Sequence, residues 1–415
     1  MRLLIVTQVF WPENFRINDL AVEFVRRGHE VTVLTGAPNY PEGRIFTEFR
    51  KDPAAFAALE GARIVRVPIM PRGQGRLRLV LNYISFACSA SLVGAWKLRG
   101  RQFDAIFVYE PSPVTVGLPA VLLRALKRAP LAFWVLDLWP QTLQAIGVVR
   151  SPLLLAAIGR LVSFIYKHCD LILAQSRSFV PQIARYCLGS SRIVYFPNWA
   201  EALFTAQAVA PAAEVPARAG SFNVMFAGNI GEAQDFPTVL AAAERLRGET
   251  RIRWLIVGDG RMAAWVHSEV ASRGLQDCVL MLGRHALDRM PSFFAHADVM
   301  LVSLKDEPIF AMTIPGKLQS YLAAGVPVLA VLRGEGANVV ERAGAGLTCP
   351  PGDARALADA VMQLAALPTE RLQQMRRNAL AVSATEFDRD QLLSNLEAWL
   401  EQLKNGAWSD AAENH

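Results

Sequence analysis

Short apolar runs alternate with helical patterns along almost the whole of the 415-residue chain. The runs are continuously apolar, which is typical of strands in a parallel sheet that helices cover on both faces. Helical stretches such as residues 19–30 lie between them. The pattern therefore predicts an α/β fold. The predicted strands are Leu3–Thr7, Val31–Leu34, Ile64–Val67, Ala105–Tyr109, Leu131–Leu136, Leu171–Ala174, Ile193–Phe196, Val224–Ala227, Trp254–Val257, Val279–Leu282, Val299–Val302 and Val328–Val331.

A stretch of different composition interrupts this alternation. Residues 200–221 are rich in alanine, proline and small polar residues, so we interpret them as a linker. The linker separates an N-terminal domain, residues 1–199, from a C-terminal domain, residues 222–385. A helix over residues 386–405, for which packing against the first domain is one option, precedes a tail over residues 406–415. We predict two tandem Rossmann-like, doubly wound domains that face each other across a cleft.

The composition excludes a disordered chain, because 52% of the residues are hydrophobic and only 19% are charged. The net charge of +6 is unevenly distributed. Residues 61–101 contain eight basic and no acidic residues, which leaves 43 − 8 = 35 basic against 37 acidic residues elsewhere. Such a concentration is typical of nucleic-acid binding or of contact with anionic lipid.

Within the basic segment, an uncharged stretch of 18 residues lies between Arg78 and Lys97. Its length reaches the lower limit for a membrane-spanning helix, but Asn82 and four serines or cysteines make it more polar. We therefore expect no transmembrane segment. The N-terminus does not resemble a signal peptide, and five scattered cysteines without a Cys-x-x-Cys pair fit a reducing cytosol.

Glycine-rich turns follow the first two strands of the second domain. The first contains Gly228, Asn229 and Gly231 before a helix near Phe236, an arrangement that suits either an anion at a helix N-terminus or a tight turn. The second, residues 258–263, matches G-x-G-x-x-A. A dinucleotide site also needs an acidic residue at the end of the following strand, and none is found there, so we expect no nicotinamide site.

A short helix is predicted after Pro315, with Gly316 and Lys317 in its first turn. Helix N–H groups and an ammonium group on the same side suit a diphosphate. The alternative is a packing helix with a solvent-directed lysine. Beyond the next strand, another glycine-rich turn contains Glu335 and Ala337, where a carboxylate suits ribose hydroxyls or is simply solvated.

Polar and aromatic residues follow four strands of the first domain. Carboxylates, amides and aromatic rings at one sheet edge suit a sugar, although each set alone is compatible with ordinary loop chemistry. The residues are Glu13, Asn14, Asn39, Glu110, Asp137 and Trp139. The six histidines form no metal-binding spacing and no G-x-S-x-G elbow occurs, so we expect no metal and no serine nucleophile.

Nearly the whole chain resembles the GT-B glycosyltransferases of retaining family 4. The similarity is strongest to the branch that builds bacterial cell-surface polysaccharides, which includes N-acetylfucosamine and fucose transferases of O-antigen and colanic acid synthesis. The motifs that carry the resemblance are TQVFWPENFRINDLAVEFVRRGHEVTVLTGAPNYPEG, LDLWPQ, FAGNIGEAQDF, VGDG and TIPGKLQSYLAAGVPVLA.

The resemblance implies which residues contact each substrate. Asp137 and Lys317 would act in catalysis, and Glu13, Asn14, Asn39, Glu110 and Trp139 would lie toward the acceptor. The implied donor-binding residues are Gly228, Asn229, Gly231, Gln234, Gly258, Gly260, Arg284, Pro315, Gly316, Lys317, Glu335 and Ala337.

The chain departs from the family pattern at three places. Met312 and Ser320 stand where many members have glutamates, and Gln234 lies near the place of a usual lysine. Sugar and ribose contacts therefore cannot be transferred from better-known members.

The expected activity is transfer of a sugar, such as an N-acetylated 6-deoxyhexosamine, from a UDP-linked donor. The implied acceptor is a polyprenyl-diphosphate-linked saccharide, and no cofactor or metal is expected. Residues 63–101 would contact the anionic inner face of the cell membrane, which places a cytoplasmic enzyme at its periphery. We expect no nucleic-acid partner. A nucleotide-sugar epimerase of the same fold and a non-catalytic pseudo-transferase are the alternatives.

Overall fold

A computed structural model describes residues 1–73, 75–145, 148–187, 192–204 and 209–406. The chain forms two compact units. The first comprises Met1–Phe196 together with the chain from Gln391 onward, and the second comprises Pro197–Asp390.

The first unit is built on an eight-stranded sheet. Its strand order is β3-β4-β2-β1-β5-β6-β7-β8, and every pair is parallel except the antiparallel pair of β3 with β4. All seven strands predicted for this half are present, and β3 was missed because two residues carry no pattern. The strands are β1 (Arg2–Val6), β2 (Glu30–Gly36), β3 (Ala58–Leu59), β4 (Ala62–Val67), β5 (Ala105–Glu110), β6 (Leu131–Val135), β7 (Leu171–Ala174) and β8 (Arg192–Tyr195).

Helices connect these strands. The helix α1 shows why: Ile17, Leu20, Ala21 and Phe24 are buried at helical spacing, and Gly28 with φ of 87° follows its end. A π-helical turn, Ala90–Gly94, joins α3 to α4. The helices are α1 (Arg16–Arg26), α2 (Thr47–Lys51), α3 (Arg76–Ser89), α4 (Ala95–Lys97), α5 (Gly117–Lys127), α6 (Gln141–Ala145), α7 (Pro152–Lys167) and α8 (Phe179–Ala184).

The strand order reverses between β1 and β5, which are neighbours in the sheet but not in the chain. Right-handed crossovers put the helices that follow β4, β5 and β6 on one face of the sheet. Accordingly, α3 contacts α5 and α5 contacts α7. These three helices therefore form one layer.

The second unit contains a six-stranded, fully parallel sheet of order β11-β10-β9-β12-β13-β14. The five strands predicted here are present, and β14 was missed because its sequence, GLTC, is short and only half apolar. The strands are β9 (Phe222–Ala227), β10 (Ile252–Val257), β11 (Val279–Gly283), β12 (Val299–Ser303), β13 (Val328–Val331) and β14 (Gly346–Cys349). The helices are α9 (Phe236–Arg245), α10 (Ala263–Ser272), α11 (Met290–Phe294), α12 (Pro308–Ala311), α13 (Gly316–Ala323), α14 (Glu335–Ala343), α15 (Ala354–Ala365), α16 (Thr369–Glu386) and α17 (Arg389–Lys404).

Alternate residues of β9 and β10 enter two separate cores. Met225 and Leu255 belong to one core, and Phe226 and Ile256 belong to the other. The sheet is therefore covered on both faces, which confirms the predicted doubly wound α/β class.

The described part of the predicted linker packs against the second unit. Phe204 stacks on Phe294 with ring centroids 5.3 Å apart, and Val215 is buried in the same core. Residues 205–208 of this segment, and the predicted tail from residue 407 onward, lie outside the described residues.

The final helix, α17, packs on the first unit. Glu397 accepts a hydrogen bond of 2.9 Å from Arg27 and lies 2.6 Å from Nε2 of His29. The ring of Trp399 contacts that of Phe196 at 5.9 Å.

One continuous helical segment, Leu77–Lys97, is long and apolar enough to cross a membrane by length and composition, and 28% of its apolar window is buried. Much of its apolar surface is therefore exposed on the first unit.

Candidate functional site

In the second unit, the strand order reverses between β9 and β12. These strands pair only at Val224 with Val299 and Met225 with Met300. Beyond that point the Tyr321 hydroxyl donates to the Ala227 carbonyl at 2.8 Å and accepts from its N–H at 3.0 Å. Crevices at such reversals are where open α/β sheets bind ligands. Tyr321 thus places α13 at the carboxyl end of β9.

Lys317 lies at this edge, against the first glycine turn. Its Nζ is 3.7 Å from the centroid of the Phe226 ring and donates to the Asn229 carbonyl at 3.4 Å. Burial lowers the pKa of Lys317 to about 7. Within the described chain, no acidic side chain pairs with it. A half-buried cation without a carboxylate partner suits an incoming anion.

Gly228 makes this close approach possible. Its φ is 134°, and a Cβ atom there would lie 2.6 Å from Cε of Lys317. A side chain at this position would therefore both strain the backbone and displace the lysine.

The N-termini of α13 and α14 lie close together. A Cβ atom on Gly336 would lie 3.1 Å from Cδ of Pro315, the residue that precedes α13. The N-terminus of each helix carries the positive end of the helix dipole. Two such helix ends beside Lys317 suit a diphosphate, and binding of a diphosphate here stays a prediction.

Glu335 is the first residue of α14 and is buried, which places its carboxylate at this pair of helix N-termini. The Ala337 side chain belongs to the hydrophobic core of the unit. Ala337 can therefore meet a ligand only through its backbone.

The G-x-G-x-x-A turn packs against the first glycine turn. A Cβ atom on Gly258 would lie 1.9 Å from the Gly228 carbonyl oxygen, and one on Gly260 would lie 2.4 Å from that of Ile230. The Ile230 N–H also donates to the Asp259 carbonyl at 2.9 Å. These two glycines allow two backbone turns to approach each other, which accounts for the motif without a dinucleotide.

Gln234 lies in the first glycine turn, whereas Arg284 lies at a different strand of the sheet. The Gln234 side-chain oxygen accepts from the Gly231 N–H at 2.9 Å and so fixes the first glycine turn. Arg284 is exposed after β11, two strands from β9, or about 10 Å at the usual strand spacing.

In the first unit, Asp137 and Glu110 follow or end neighbouring strands. Asp137 accepts hydrogen bonds from the Thr142 hydroxyl and, at 3.2 Å, from Nε1 of Trp139. Burial raises the pKa of Asp137. Burial, and then the charge of Asp137, raise the pKa of Glu110 well above its usual range. Both shifts favour the protonated form, and the shift of Glu110 is the larger.

Glu13 and Asn39 join two loops at this edge. One Glu13 oxygen accepts from the N–H groups of Asn39 and Tyr40, each at 2.7 Å. The Asn39 side-chain oxygen accepts from the Arg72 N–H at 2.9 Å. These contacts hold the loops in place, and binding of an acceptor by Glu13 or Asn39 stays a prediction.

Sequence reasoning did not place Arg66 and Tyr83 at this edge of the sheet. Arg66 donates to the carbonyls of Gly36, at 2.8 Å, and Trp11, and burial lowers the pKa of its guanidinium to about 10. Tyr83 contacts Trp139 with ring centroids 6.1 Å apart. Their roles depend on tertiary contacts that local patterns do not contain.

Asn14 is exposed at the same edge of the sheet. The part of the chain that the structure describes contains no cluster of three or more His, Cys, Asp or Glu residues able to hold a metal ion.

Two family models match the chain. A glycosyl transferase 4-like domain covers residues 14–199, and the domain of the glycosyl transferases group 1 covers residues 221–366. The chain belongs to the family-4 glycosyltransferases. The transferase is 29% identical over 284 residues to WbjE of Pseudomonas aeruginosa, which is named as a glycosyltransferase. The matched region covers 65% of this chain and 70% of WbjE. It is 28% identical over 348 residues to WcaI of Escherichia coli, named as a colanic acid biosynthesis glycosyl transferase, covering 78% and 82% of the two chains.

Solved structures share the fold of the transferase. HepE from Anabaena, determined in complex with UDP, has a TM-score of 0.68 at 15% identity, covering 97% of this chain and all of HepE (100%). Sucrose-phosphate synthase from Thermosynechococcus elongatus has a TM-score of 0.72 at 16% identity, covering 98% and 100% of the chains. These similarities confirm the predicted GT-B fold.

Proposed function

We propose that this glycosyltransferase moves a sugar from a UDP-linked donor to a lipid-linked saccharide during synthesis of a bacterial cell-surface polysaccharide. The observation that carries the donor half of the proposal is Lys317, half-buried beside two helix N-termini and without a described acidic partner. The names of WcaI and of AmsK from Erwinia amylovora, a relative named for amylovoran biosynthesis, support the pathway. HepE, solved with UDP, supports the nucleotide.

The donor chemistry follows from charge. Cleavage of the sugar–phosphate bond leaves negative charge on the departing diphosphate. Lys317 and the N–H groups of α13 and α14 stabilise that charge, a contribution typically of about 3–4 kcal/mol for a preorganised donor. The substrate diphosphate also raises the proton affinity of Lys317, so the lysine is protonated when the donor is bound.

We propose that the transferred sugar keeps its anomeric configuration without a covalent intermediate. Glu110 is fully buried, so it cannot contact a sugar, and Asp137 has no second exposed carboxylate paired with it among the described residues. A double displacement of the glycosidase type needs such a pair. The acceptor hydroxyl then attacks from the face that the diphosphate leaves and gives its proton to the leaving phosphate. Asp137 orients the acceptor or stabilises positive charge on the sugar.

The membrane half of the proposal rests on the outer side of α3 and α4. Every fourth residue from 80 to 96 is exposed and uncharged: Val80, Ile84, Cys88, Leu92 and Trp96. In a regular helix these positions would spread over about 160° around the helix axis, because four residues rotate about 40° more than one full turn. The π-helical turn, Ala90–Gly94, contains about one residue more than an α-helical turn. This extra residue rotates the positions after it back by about 100°, so the five side chains stay on one side of the helix.

Basic residues bound this apolar stripe. Arg78 is exposed at one end, and Lys97, Arg99 and Arg101 lie at the other. A basic residue near an anionic leaflet contributes about 1 kcal/mol to binding. The stripe and its flanks therefore suit an amphipathic helix that lies in the membrane interface of the cytoplasmic leaflet.

The test is a transfer screen with the purified full chain. UDP-sugars, including N-acetylated 6-deoxyhexosamines, are incubated with a polyprenyl-diphosphate-linked saccharide, and mass spectrometry detects the added sugar. We expect one donor to extend the acceptor and no converted sugar when the acceptor is left out. Conversion without acceptor would indicate an epimerase. Absence of turnover with every donor would indicate a non-catalytic partner.

A further inference from the structure

A groove of about 700 Å³ lies on the first unit between α6, α7 and the residues that follow α8. Its volume is in the range of ligand sites. Gly159 on α7 forms part of its lining, where a Cβ atom would lie 3.2 Å from the Tyr186 ring. Leu155, Ala156 and Phe164 add apolar surface along the same helix. The groove can therefore hold an apolar chain.

Three basic side chains line the same groove: Arg160, Lys167 and Arg185. None of its described lining residues is acidic. None of the three cations forms an ion pair with a described residue, whereas Arg124 on the neighbouring α5 pairs with Asp170 at 2.7 Å. On α7, Arg160 and Lys167 are two turns apart on one side, about 10 Å along the helix axis. The groove therefore presents concentrated positive charge with no compensating anion.

The groove lies close in sequence to a candidate site residue and shares α7 with an apolar layer. Pro140, one of its lining residues, lies three residues after Asp137 in the chain. The same helix α7 exposes Leu153 and Leu154, 84% and 49% accessible. Ten of the fourteen exposed large hydrophobic residues lie on the layer of α3–α4, α5 and α7. An exposed apolar area of this kind marks contact with an apolar partner.

These observations identify the chemistry of the occupant. A neutral lipid leaves three cations without an anion, and inorganic phosphate leaves the apolar surface unused. We infer that the groove binds the diphosphate and first isoprenoid units of the lipid that carries the acceptor saccharide. This inference rests on the proposed function. It identifies a lipid-binding subsite on the same unit as Asp137, separate from the apolar stripe on α3 and α4.

The direct test uses farnesyl diphosphate, a soluble isoprenoid diphosphate, and measures Kd by calorimetry with saturating UDP present. We expect binding at least tenfold tighter than that of inorganic diphosphate, farnesol or short-chain phosphatidylglycerol. Arg160→Gln and Arg185→Gln each weaken binding about fivefold, the effect of one cation near an anionic headgroup. Arg150→Gln, which changes the net charge equally outside the groove, is the matched control and leaves Kd unchanged.

A second variant keeps the charge and fills the space. Ala156 is exposed on α7 and lines the groove, so Ala156→Phe obstructs it without disturbing a core. We expect this variant to weaken farnesyl diphosphate binding by tenfold or more while its thermal unfolding stays at the wild-type temperature. Unchanged Kd in Ala156→Phe and Arg160→Gln, or equal affinity for phosphatidylglycerol, would overturn the inference.

Kinetics separate this inference from the proposed function. In the transfer assay, the groove variants raise KM for the lipid-linked acceptor about fivefold but leave KM unchanged for a lipid-free saccharide. If no lipid-linked acceptor is ever extended while farnesyl diphosphate binding still depends on Arg160 and Arg185, the proposed function fails and the groove stands. Transfer with unchanged acceptor KM in all variants would contradict the groove alone.

Discussion

The protonation of Lys317 gives the sharpest prediction, because the structure leaves this cation without a described carboxylate partner and burial lowers its pKa to about 7. The ammonium form is the one that attracts a diphosphate, so affinity for UDP is high below the pKa and is lost as pH rises through it. At pH 6 about 90% of the lysine carries the proton, and at pH 8 about 10% does. We therefore expect Kd for UDP, relative to that of a variant whose cation stays charged, to increase about tenfold between pH 6 and pH 8.

The assay is calorimetric titration of UDP into the full chain at several pH values, beside Lys317→Arg. A guanidinium stays protonated over this range, so the variant keeps its charge and loses the lysine's pH dependence. Ionisation of the UDP phosphate is common to both proteins and cancels in the ratio of their Kd values. Binding to the wild type should also take up a proton, seen as a dependence of the heat on the buffer. If Kd for UDP changed by the same factor between pH 6 and pH 8 in the wild type and in Lys317→Arg, the reasoning would be refuted.

Three further changes test separate parts of the account. Gly228→Ala forces a Cβ atom to 2.6 Å from Lys317 at a φ of 134°, so Kd for UDP should rise tenfold or more, while Gly248→Ala, which meets open space, should leave it unchanged in the same titration. Asp137→Asn should lower kcat about 100-fold and leave Kd for UDP at the wild-type value; an unchanged kcat would remove Asp137 from catalysis. Leu92→Glu combined with Trp96→Glu should abolish flotation with anionic vesicles at low salt, whereas Leu380→Glu, at an exposed leucine of the second unit, should float like the wild type.

The fold was predictable because its central strands are buried on both faces. All twelve predicted strands exist, because each contains a run of apolar residues, as is typical of parallel strands that helices cover on both faces. Two strands were missed because they are too short to carry a pattern. The strand β3 has two residues, and β14 is the four-residue segment GLTC. The predicted linker carries no periodic pattern, yet Phe204 and Val215 anchor it to the second unit.

The site was predictable where one short segment carries the chemistry. Pro315, Gly316 and Lys317 are adjacent in sequence, so the start of α13 and its cation could be anticipated together. The contact of Lys317 with Phe226 and the bonding of Tyr321 to Ala227 could not, because they join segments about 90 residues apart.

Other residues show why motif and residue type alone mislead. The G-x-G-x-x-A turn matches a nucleotide motif, yet its glycines serve the close approach of Gly258 to Gly228. Glu13 follows a strand as a ligand-binding carboxylate would, yet it accepts backbone hydrogen bonds from the next loop. In both cases the partner lies in another segment, whose position only the folded chain determines.

The central claim is that Lys317 stabilises the departing diphosphate during sugar transfer. The most direct test is the turnover of Lys317→Ala in the transfer assay at saturating donor, beside Arg251→Ala, which removes a cation at the opposite, amino-terminal end of β10. We predict a fall in kcat of about 100-fold or more for Lys317→Ala, the usual effect of removing one preorganised donor, and wild-type turnover for Arg251→Ala. Turnover of Lys317→Ala at the wild-type rate would contradict the account.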